Sequence, residues 1–442
     1  MFVRPHSITI VYGDVVATAL DKSVITCDME GVVETFSDGA QAMFGYSRED
    51  AVGKVRVSDF SPGEIVLQNL GGWLATAVKE GEWVGQTNFL RKNGEMFGAQ
   101  IRITPTFKNG VQIGFCGVTE ELDAPVDVPI KGSTKFVKWL VVTRAPFLTA
   151  ALTPCFIALA YVAGVLDHSV NWLHAALACV GVALLHLASN VYNDYFDYKS
   201  GTDQANTKYF TQFSGGSRSI FMGLIDLKGT LRVANVLALL AFLIGLYLTS
   251  AVGTGVLVIG FAGLALGYFY TAPPLRLVAR HGLGEIVIGL AFGPLITLGV
   301  FYVATAASAP ELWSQFATMA FLVGIPAGLL TSNILLINQI PDTEGDAATG
   351  KAHLVVTFGY RAAVWFYALF IGGAIGVTAY LGSVLNNPYM YAVAGITTLF
   401  AAWIVSYMRK HLYARTLVKG NVATIQFQIG FSILFIVALL LG

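Results

Sequence analysis

Two hydrophobic patterns divide this chain. As far as residue 122 the apolar positions come in short alternating runs broken by turn residues. From about residue 135 they come in long uninterrupted blocks. In the first part, Val24-Ile25-Thr26-Cys27, the turn signal Asp28-Met29-Glu30-Gly31 and Val32-Val33-Glu34-Thr35-Phe36 predict a hairpin. Ala40 to Phe44 predicts a short helix broken at Gly45, with Ser47 capping the next turn. Glu82-Trp83-Val84-Gly85 and Arg91-Lys92-Asn93-Gly94-Glu95 punctuate further strands up to Val118. Residues 123–134 read as a linker, because Pro125, Pro129 and Gly132 leave nothing to pack. From Ser133 an amphipathic stretch, Lys135 to Leu140, predicts an interfacial helix with Trp139 at headgroup depth.

The blocks that follow predict nine spans, roughly 146–166, 170–191, 233–251, 254–271, 285–306, 316–338, 363–383, 389–408 and 422–441. About 20 residues cross about 30 Å of hydrocarbon. Past Arg144, every Lys and Arg falls in alternate connections. Lys199, Lys208, Arg218, Lys228 and Arg232 follow the second span, and Arg276 and Arg280 the fourth. Lys351 and Arg361 follow the sixth, and Arg409, Lys410, Arg415 and Lys419 the eighth. By the positive-inside rule those connections and the N-terminal part face the cytoplasm, and the C-terminus faces outward.

Composition agrees with this division. Of 442 residues, 55% are hydrophobic and 12% charged, and the mean hydropathy is +0.65. That is a membrane-protein composition, placed here in a cell (inner) membrane. A net charge of +0 gives no reason to expect a nucleic-acid partner. Met1 to His6 lacks a long apolar core, so no signal peptide is expected. The four cysteines, Cys27, Cys116, Cys155 and Cys179, are scattered and read as free thiols.

Two polar stretches interrupt the apolar blocks. After the second span, Asn190, Asp194 and Asp197 recur at i, i+4 and i+7, and so share one helix face; Asp203 follows a Gly-Thr break. After the sixth span, Asp342 and Asp346 are i, i+4 partners, with Glu344 between them and Lys351 beyond. Carboxylates at the end of a membrane helix repel one another and are costly to desolvate. A cation removes both penalties, and an all-oxygen donor set favours Mg²⁺. Two such clusters on one membrane face fit a lipid diphosphate bridged through Mg²⁺, with Lys199, Arg218, Arg276, Arg280 and Lys351 as possible clamps. Tyr192, Tyr195, Phe196, Tyr198, Tyr268 and Tyr270 are candidate aromatic walls for an allylic cation, while Glu344 reads as solvated. His174 and His186 read as packed or pore-facing.

Two resemblances sharpen the picture. The Asp-x-x-Gly hairpin, Phe44-Gly45-Tyr46-Ser47, Gly81-x-Trp83 and Arg91-Lys92-x-Gly94 make residues 1–122 resemble a PAS domain. That resemblance implies a soluble α+β domain that senses a small ligand or contacts a protein partner. Asn190-x-x-Asn193-Asp194-x-x-Asp197 and Asp342-x-x-x-Asp346 with Gly350-Lys351 make residues 135–442 resemble the UbiA superfamily of intramembrane prenyltransferases. That resemblance implies an all-α bundle of nine transmembrane helices, Mg²⁺, a polyprenyl diphosphate donor and an aromatic acceptor. Gly201-Thr202-Asp203, Gly215-Gly216-Ser217-Arg218, Tyr270-Thr271 and Phe292-Gly293-Pro294 are similar to the dihydroxynaphthoate branch that serves menaquinone synthesis. Gln339 and His353 depart from the residue types often found at their positions. The resemblance implies that Asp194, Asp197, Asp342 and Asp346 are catalytic and hold the metal. It implies substrate-binding roles for Asn190, Asn193, Asp203, Lys199, Arg218, Tyr270, Lys351 and Arg144. The competing readings are another aromatic or lipid acceptor, a PAS-coupled membrane receptor and a cation-coupled transporter.

Overall fold

The hairpin expected at residues 24–36 forms in the computed structural model, which describes residues 21–210 and 213–442. Residues 1–6, on which the signal-peptide expectation rests, lie outside that range. Strand β1 (Lys22–Asp28) pairs antiparallel with β2 (Val33–Phe36), opposing Ile25 to Phe36. Asp28 closes the turn, its Oδ1 accepting from the Glu30 and Val32 amides at 2.9 Å each. Strands β3 (Trp83–Leu90), β4 (Met96–Lys108) and β5 (Val111–Glu121) complete a five-stranded antiparallel sheet in the order β2-β1-β5-β4-β3. The short helix Asp38–Phe44 is capped by Ser37, and Ser47 caps the next turn, as the sequence predicts. Phe44 is the hub of the core, with the rings of Phe60, Phe89 and Phe97 centred 4.7, 5.6 and 5.5 Å away. The amphipathic stretch forms the helix Gly132–Val142, on which Phe136 and Trp139 are exposed.

The chain divides into two compact units. One ends at Trp139 and takes in Phe221–Leu224; the other comprises Leu140–Ile220 and Ile225–Gly442. The second is all helix among the described residues. Its membrane helices are α1 (Ala145–Val165), α2 (Trp172–Ser200), α3 (Leu227–Val252), α4 (Gly255–Phe269), α5 (Leu283–Thr305), α6 (Pro310–Ala348), α7 (Tyr360–Val384), α8 (Pro388–His411) and α9 (Arg415–Leu441). Eight are long and apolar enough to cross a membrane; the ninth, α4, is shorter, with 15 residues. At 1.5 Å per residue it spans about 22 Å, less than the hydrocarbon thickness. The expected span 254–271 falls short because Pro273 and Pro274 stop the helix.

Helices α2 and α6 overrun their expected C-terminal ends the furthest, and both extensions carry acidic residues. Helix α2 has 29 residues and ends at Gly201, whose amide donates back to the Asp197 and Tyr198 carbonyls. Helix α6 has 39 residues and continues through Pro326 and Pro341, so Asp342 and Asp346 ride on the same rigid rod as its apolar core. Helices α5 and α6 cross on small residues. A Cβ on Gly328 would overlap the Gly289 carbonyl oxygen, and one on Gly293 the Gly324 carbonyl oxygen. Pro294 has no amide to donate, and Ala291–Leu295 forms a π turn.

This crossing gives a test. Gly328→Val is expected to lower the thermal unfolding temperature in detergent, an overpacking cost of about 1–3 kcal/mol. Gly376→Ala, where nothing lies within 4 Å of an added Cβ, leaves it nearly unchanged. Equal effects would show that the α5–α6 approach is not tight.

Candidate active site

The two acidic stretches meet. The end of α2 and the end of α6 are joined by Lys351, whose Nζ donates to Asp197 Oδ2 at 2.8 Å and lies 3.7 Å from Asp346 Oδ1. Lys351 is only 8% exposed. Burial disfavours its charge, but the Asp197 and Asp346 carboxylates outweigh that and hold its ammonium more firmly protonated than a free lysine. Asn193 Nδ2 also donates to Asp197 Oδ2, at 3.1 Å. His353 Nε2 lies 3.1 Å from Asp346 Oδ2 and, through Nδ1, caps the turn Leu354–Phe358. Glu285 on α5 anchors this segment by accepting from the Leu354 amide at 3.0 Å.

The connection after α2 folds over the other carboxylates. Asp342 accepts from Asn206 Nδ2 at 2.7 Å and from the Gly215 amide at 2.9 Å. Asp194 accepts from the Ser217 amide at 3.1 Å, while its Oδ2 is buried without a hydrogen-bond partner. Gly216 has φ +72°, and a Cβ there would sit 2.8 Å from Asp194 Oδ1. Asp203 is buried in the short turn Thr202–Ala205, and its carbonyl accepts from Arg218 Nη1. Burial, reinforced by the Asp197 and Asp194 carboxylates, holds the Asp203 carboxyl well above the usual carboxylate range.

These groups close one end of a cavity of about 350 Å³. Arg144, Asn190, Asn193, Asp197, Asp203, Tyr270, Asp342, Asp346 and Lys351 all line it. The lining continues along one face of α2 from Asp197 back to Ala178, and along α4 and α5 to Val256 and Val303. At 1.5 Å per residue the α2 face alone runs about 28 Å. Small residues on α4, Gly260 and Gly263, keep the space open, and Phe147, Phe213 and Phe292 supply aromatic walls.

Residues 151–427 match the UbiA prenyltransferase family and residues 21–121 match the PAS domain. The chain belongs to the UbiA prenyltransferase family. It is a prenyl-transferring enzyme and a multi-pass membrane protein with an N-terminal PAS domain. It is 27% identical over 266 residues to the 1,4-dihydroxy-2-naphthoate octaprenyltransferase of Bacillus subtilis, covering 60% of this chain and 80% of that protein. It is 28% identical over 247 residues to the Escherichia coli protein of the same name, covering 53% and 75%. The apo structure of a UbiA homolog from Aeropyrum pernix K1 shares the fold at 14% identity and a TM-score of 0.52, covering 66% of this chain and 97% of that one.

Seen as a UbiA site, the arrangement departs from the sequence expectations in four places. First, Lys351, expected as a phosphate clamp, is itself paired with two of the carboxylates expected to hold the metal, and among the described residues no three His, Cys, Asp or Glu side chains form a metal cage. Asp197 and Asp346 share Lys351, while Asp194 and Asp342 are held by the loop that contains Ser217 and Gly215. Their chemistry nonetheless fits Mg²⁺, which is commonly bound by one or two carboxylates together with substrate phosphates rather than by an all-protein cage. Asp194 Oδ2 is a buried oxygen without a hydrogen-bond partner, as a missing cation would leave it, although Asp194 itself does not line the cavity.

Second, Lys199 lies on the exposed face of α2 over the Tyr195 ring, because two residues past Asp197 is about 200° around the helix. Third, Arg218 stacks on Tyr209 at 4.4 Å and does not line the cavity. Fourth, of the expected aromatic walls only Tyr270 lines it. Tyr192 instead donates to Asn235 at 2.7 Å and packs, with Phe196 and Tyr268, between α2 and its neighbours. Glu344 is solvated as expected, paired with Lys208 at 2.7 Å. Sequence reasoning missed Asn206, and it gave the Gly215-Gly216 pair no contact with the carboxylates, since only the tertiary fold brings that loop to α2 and α6. Gln339, marked in the sequence as a departure but given no role, lies one turn before Asp342 and lines the cavity with both amide atoms unpartnered.

Two substitutions test the geometry. Gly216→Ala should cut prenyl transfer at least tenfold with little change in unfolding temperature, because the added Cβ meets Asp194 Oδ1. Lys351→Met leaves two buried carboxylates without their cation and should lower stability by about 3–5 kcal/mol as well as activity. A stable, active Lys351→Met protein would show that Lys351 does not join the two clusters.

Proposed function

We propose that this enzyme transfers a polyprenyl group from an isoprenyl diphosphate to 1,4-dihydroxy-2-naphthoate, the reaction of menaquinone synthesis. The observation that carries this reading is the single cavity that joins a polar end, rich in carboxylates and Lys351, to a long apolar channel. A diphosphate with a long isoprenoid tail has the same two-part character. The acceptor is inferred from the named relatives in Bacillus subtilis and Escherichia coli.

Asp194, Asp197, Asp342 and Asp346 are the residues assigned to hold Mg²⁺ with the diphosphate, supported by Asn190. When bound, Mg²⁺ neutralises the charge that builds on the diphosphate as it leaves. Lys351 and Arg144 add positive charge at the same end. The apolar walls exclude water from the allylic cation, and Phe147, Phe292 and Tyr270 present aromatic faces beside it. The allylic C–O bond breaks with its pair leaving on the diphosphate, the acceptor ring carbon that bears the carboxylate forms the new C–C bond, and the carboxylate leaves that carbon as CO₂, its bonding pair restoring the aromatic ring. By the positive-inside pattern, the polar end and the PAS domain are assigned to the cytoplasmic face of the inner membrane.

The test is a membrane assay with Mg²⁺, a radiolabelled polyprenyl diphosphate and three acceptors: dihydroxynaphthoate, 4-hydroxybenzoate and homogentisate. A prenylated, decarboxylated naphthalenediol is expected. Asp197→Asn and Asp342→Asn should each cost about 10²–10³ in rate, and EDTA should abolish it. Product from another acceptor alone would discard the naphthoate assignment; full activity in both variants would discard the site. Gly260→Phe, a bulky side chain placed in the channel wall, should shift preference to shorter donors.

A further inference from the structure

His186 lies one helical turn before Asn190 on α2, lines the cavity and is 7% exposed. Its Nε2 is 3.1 Å from Asn190 Nδ2. The orientation of that amide is set by a second partner: Nδ2 also faces the Thr143 carbonyl oxygen at 3.4 Å, and a carbonyl oxygen can only accept. An N–H group therefore points at His186 Nε2, which carries the lone pair. The proton of the neutral ring sits on Nδ1. Nδ1 is buried and has no hydrogen-bond partner. The Phe292 ring, 5.2 Å away and at 85°, fixes the imidazole edge-on.

A buried donor without an acceptor is costly, and in a dry site it discriminates strongly among the groups that meet it. His186 stands between the polar end of the cavity, at Asn190 and Asp197, and its apolar walls at Leu185 and Leu295. An isoprenoid tail carries no oxygen, and a diphosphate belongs with the carboxylates, the metal and Lys351. The oxygen at this level has to come from the second substrate. We infer that His186 selects the aromatic acceptor, its Nδ1–H donating to a ring-borne oxygen while Phe292 packs beside the ring. This inference rests on the aromatic-acceptor reading above. His186 is not a base, because its only lone pair is held by Asn190. Asn190 gains a second task, that of fixing the tautomer.

The test is equilibrium binding of dihydroxynaphthoate, without donor, to the purified full-length protein. His186→Leu should weaken acceptor binding about 10- to 100-fold, the range for a lost buried hydrogen bond. It should leave isoprenyl diphosphate binding unchanged. His186→Asn, which keeps an N–H donor, should recover part of the loss. Among acceptors methylated at one oxygen at a time, one should bind poorly to the wild type yet match its parent in His186→Leu. Equal acceptor binding by wild type and His186→Leu, or equal loss of donor and acceptor binding, would overturn the inference. So would a wild type that binds no oxygenated aromatic. If His186→Leu does not fold, the methylated series on the wild type decides: one discriminated oxygen supports the role, and none refutes it. Wild type that binds the acceptor through His186 but forms no product would count against the proposed reaction alone.

Discussion

One buried ammonium ties the polar end of the cavity together. Lys351 reaches from the connection after α6 to Asp197 on α2, with Asp346 beside it. Without a positive charge at this point, two carboxylates would face each other out of water, and neither could stay ionised cheaply. The contact also spans 154 positions of sequence, so it fixes the two longest polar helix extensions against each other. The loop that carries Asn206, Gly215 and Ser217 then has a rigid floor on which to fold, and the backbone amides it supplies hold Asp342 and Asp194 in place.

The rest of the bundle keeps a channel open behind that charged end. Interiors pack to crystal density, so an open channel needs walls that cannot collapse. The α5–α6 crossing on Gly289, Gly293, Gly324 and Gly328 pins one wall by direct backbone contact. The π turn at Ala291–Leu295 follows the missing amide of Pro294, and the cavity is lined at this point by Phe292. On α4 two glycines work the other way: Gly260 faces open space and Gly263 meets only Leu295, at 3.9 Å, so their missing side chains leave room for the channel. The same residue type thus closes one interface and opens another, according to what lies opposite.

Much of this is legible in the amino-acid sequence. The hairpin at residues 24–36 follows from turn chemistry, and the pairing of Asp342 with Asp346 from helical spacing; both are local. The alternation of Lys and Arg located the polar connections because it reports on the membrane, not on packing. What failed was non-local. Tyr192 and Phe196 were expected as cavity walls because they sit inside the first motif, but their side of α2 turns toward α3, and sequence spacing does not say which neighbour a helix face meets. Lys199 failed for the opposite reason: its angle around the helix from Asp197 was available from the sequence and placed it outside. Asn206 carries no local signal, since an asparagine in a loop acquires meaning only when the loop closes over α2 and α6, and the same closure sets the Gly215-Gly216 pair against Asp342 and Asp194. Helix α4 came out short because Pro273 and Pro274 stop it before the apolar run ends.

The central claim is that one cavity holds the diphosphate at the Lys351 end and the isoprenoid along α2, α4 and α5. A structure of the full-length protein with Mg²⁺ and a non-hydrolysable isoprenyl thiodiphosphate tests it most directly. The account predicts the phosphate groups within contact distance of Lys351 and at least one of Asp197 and Asp342, with the tail running past Phe292 toward Val303. A diphosphate bound elsewhere, or a tail that leaves the bundle without entering this channel, would contradict it.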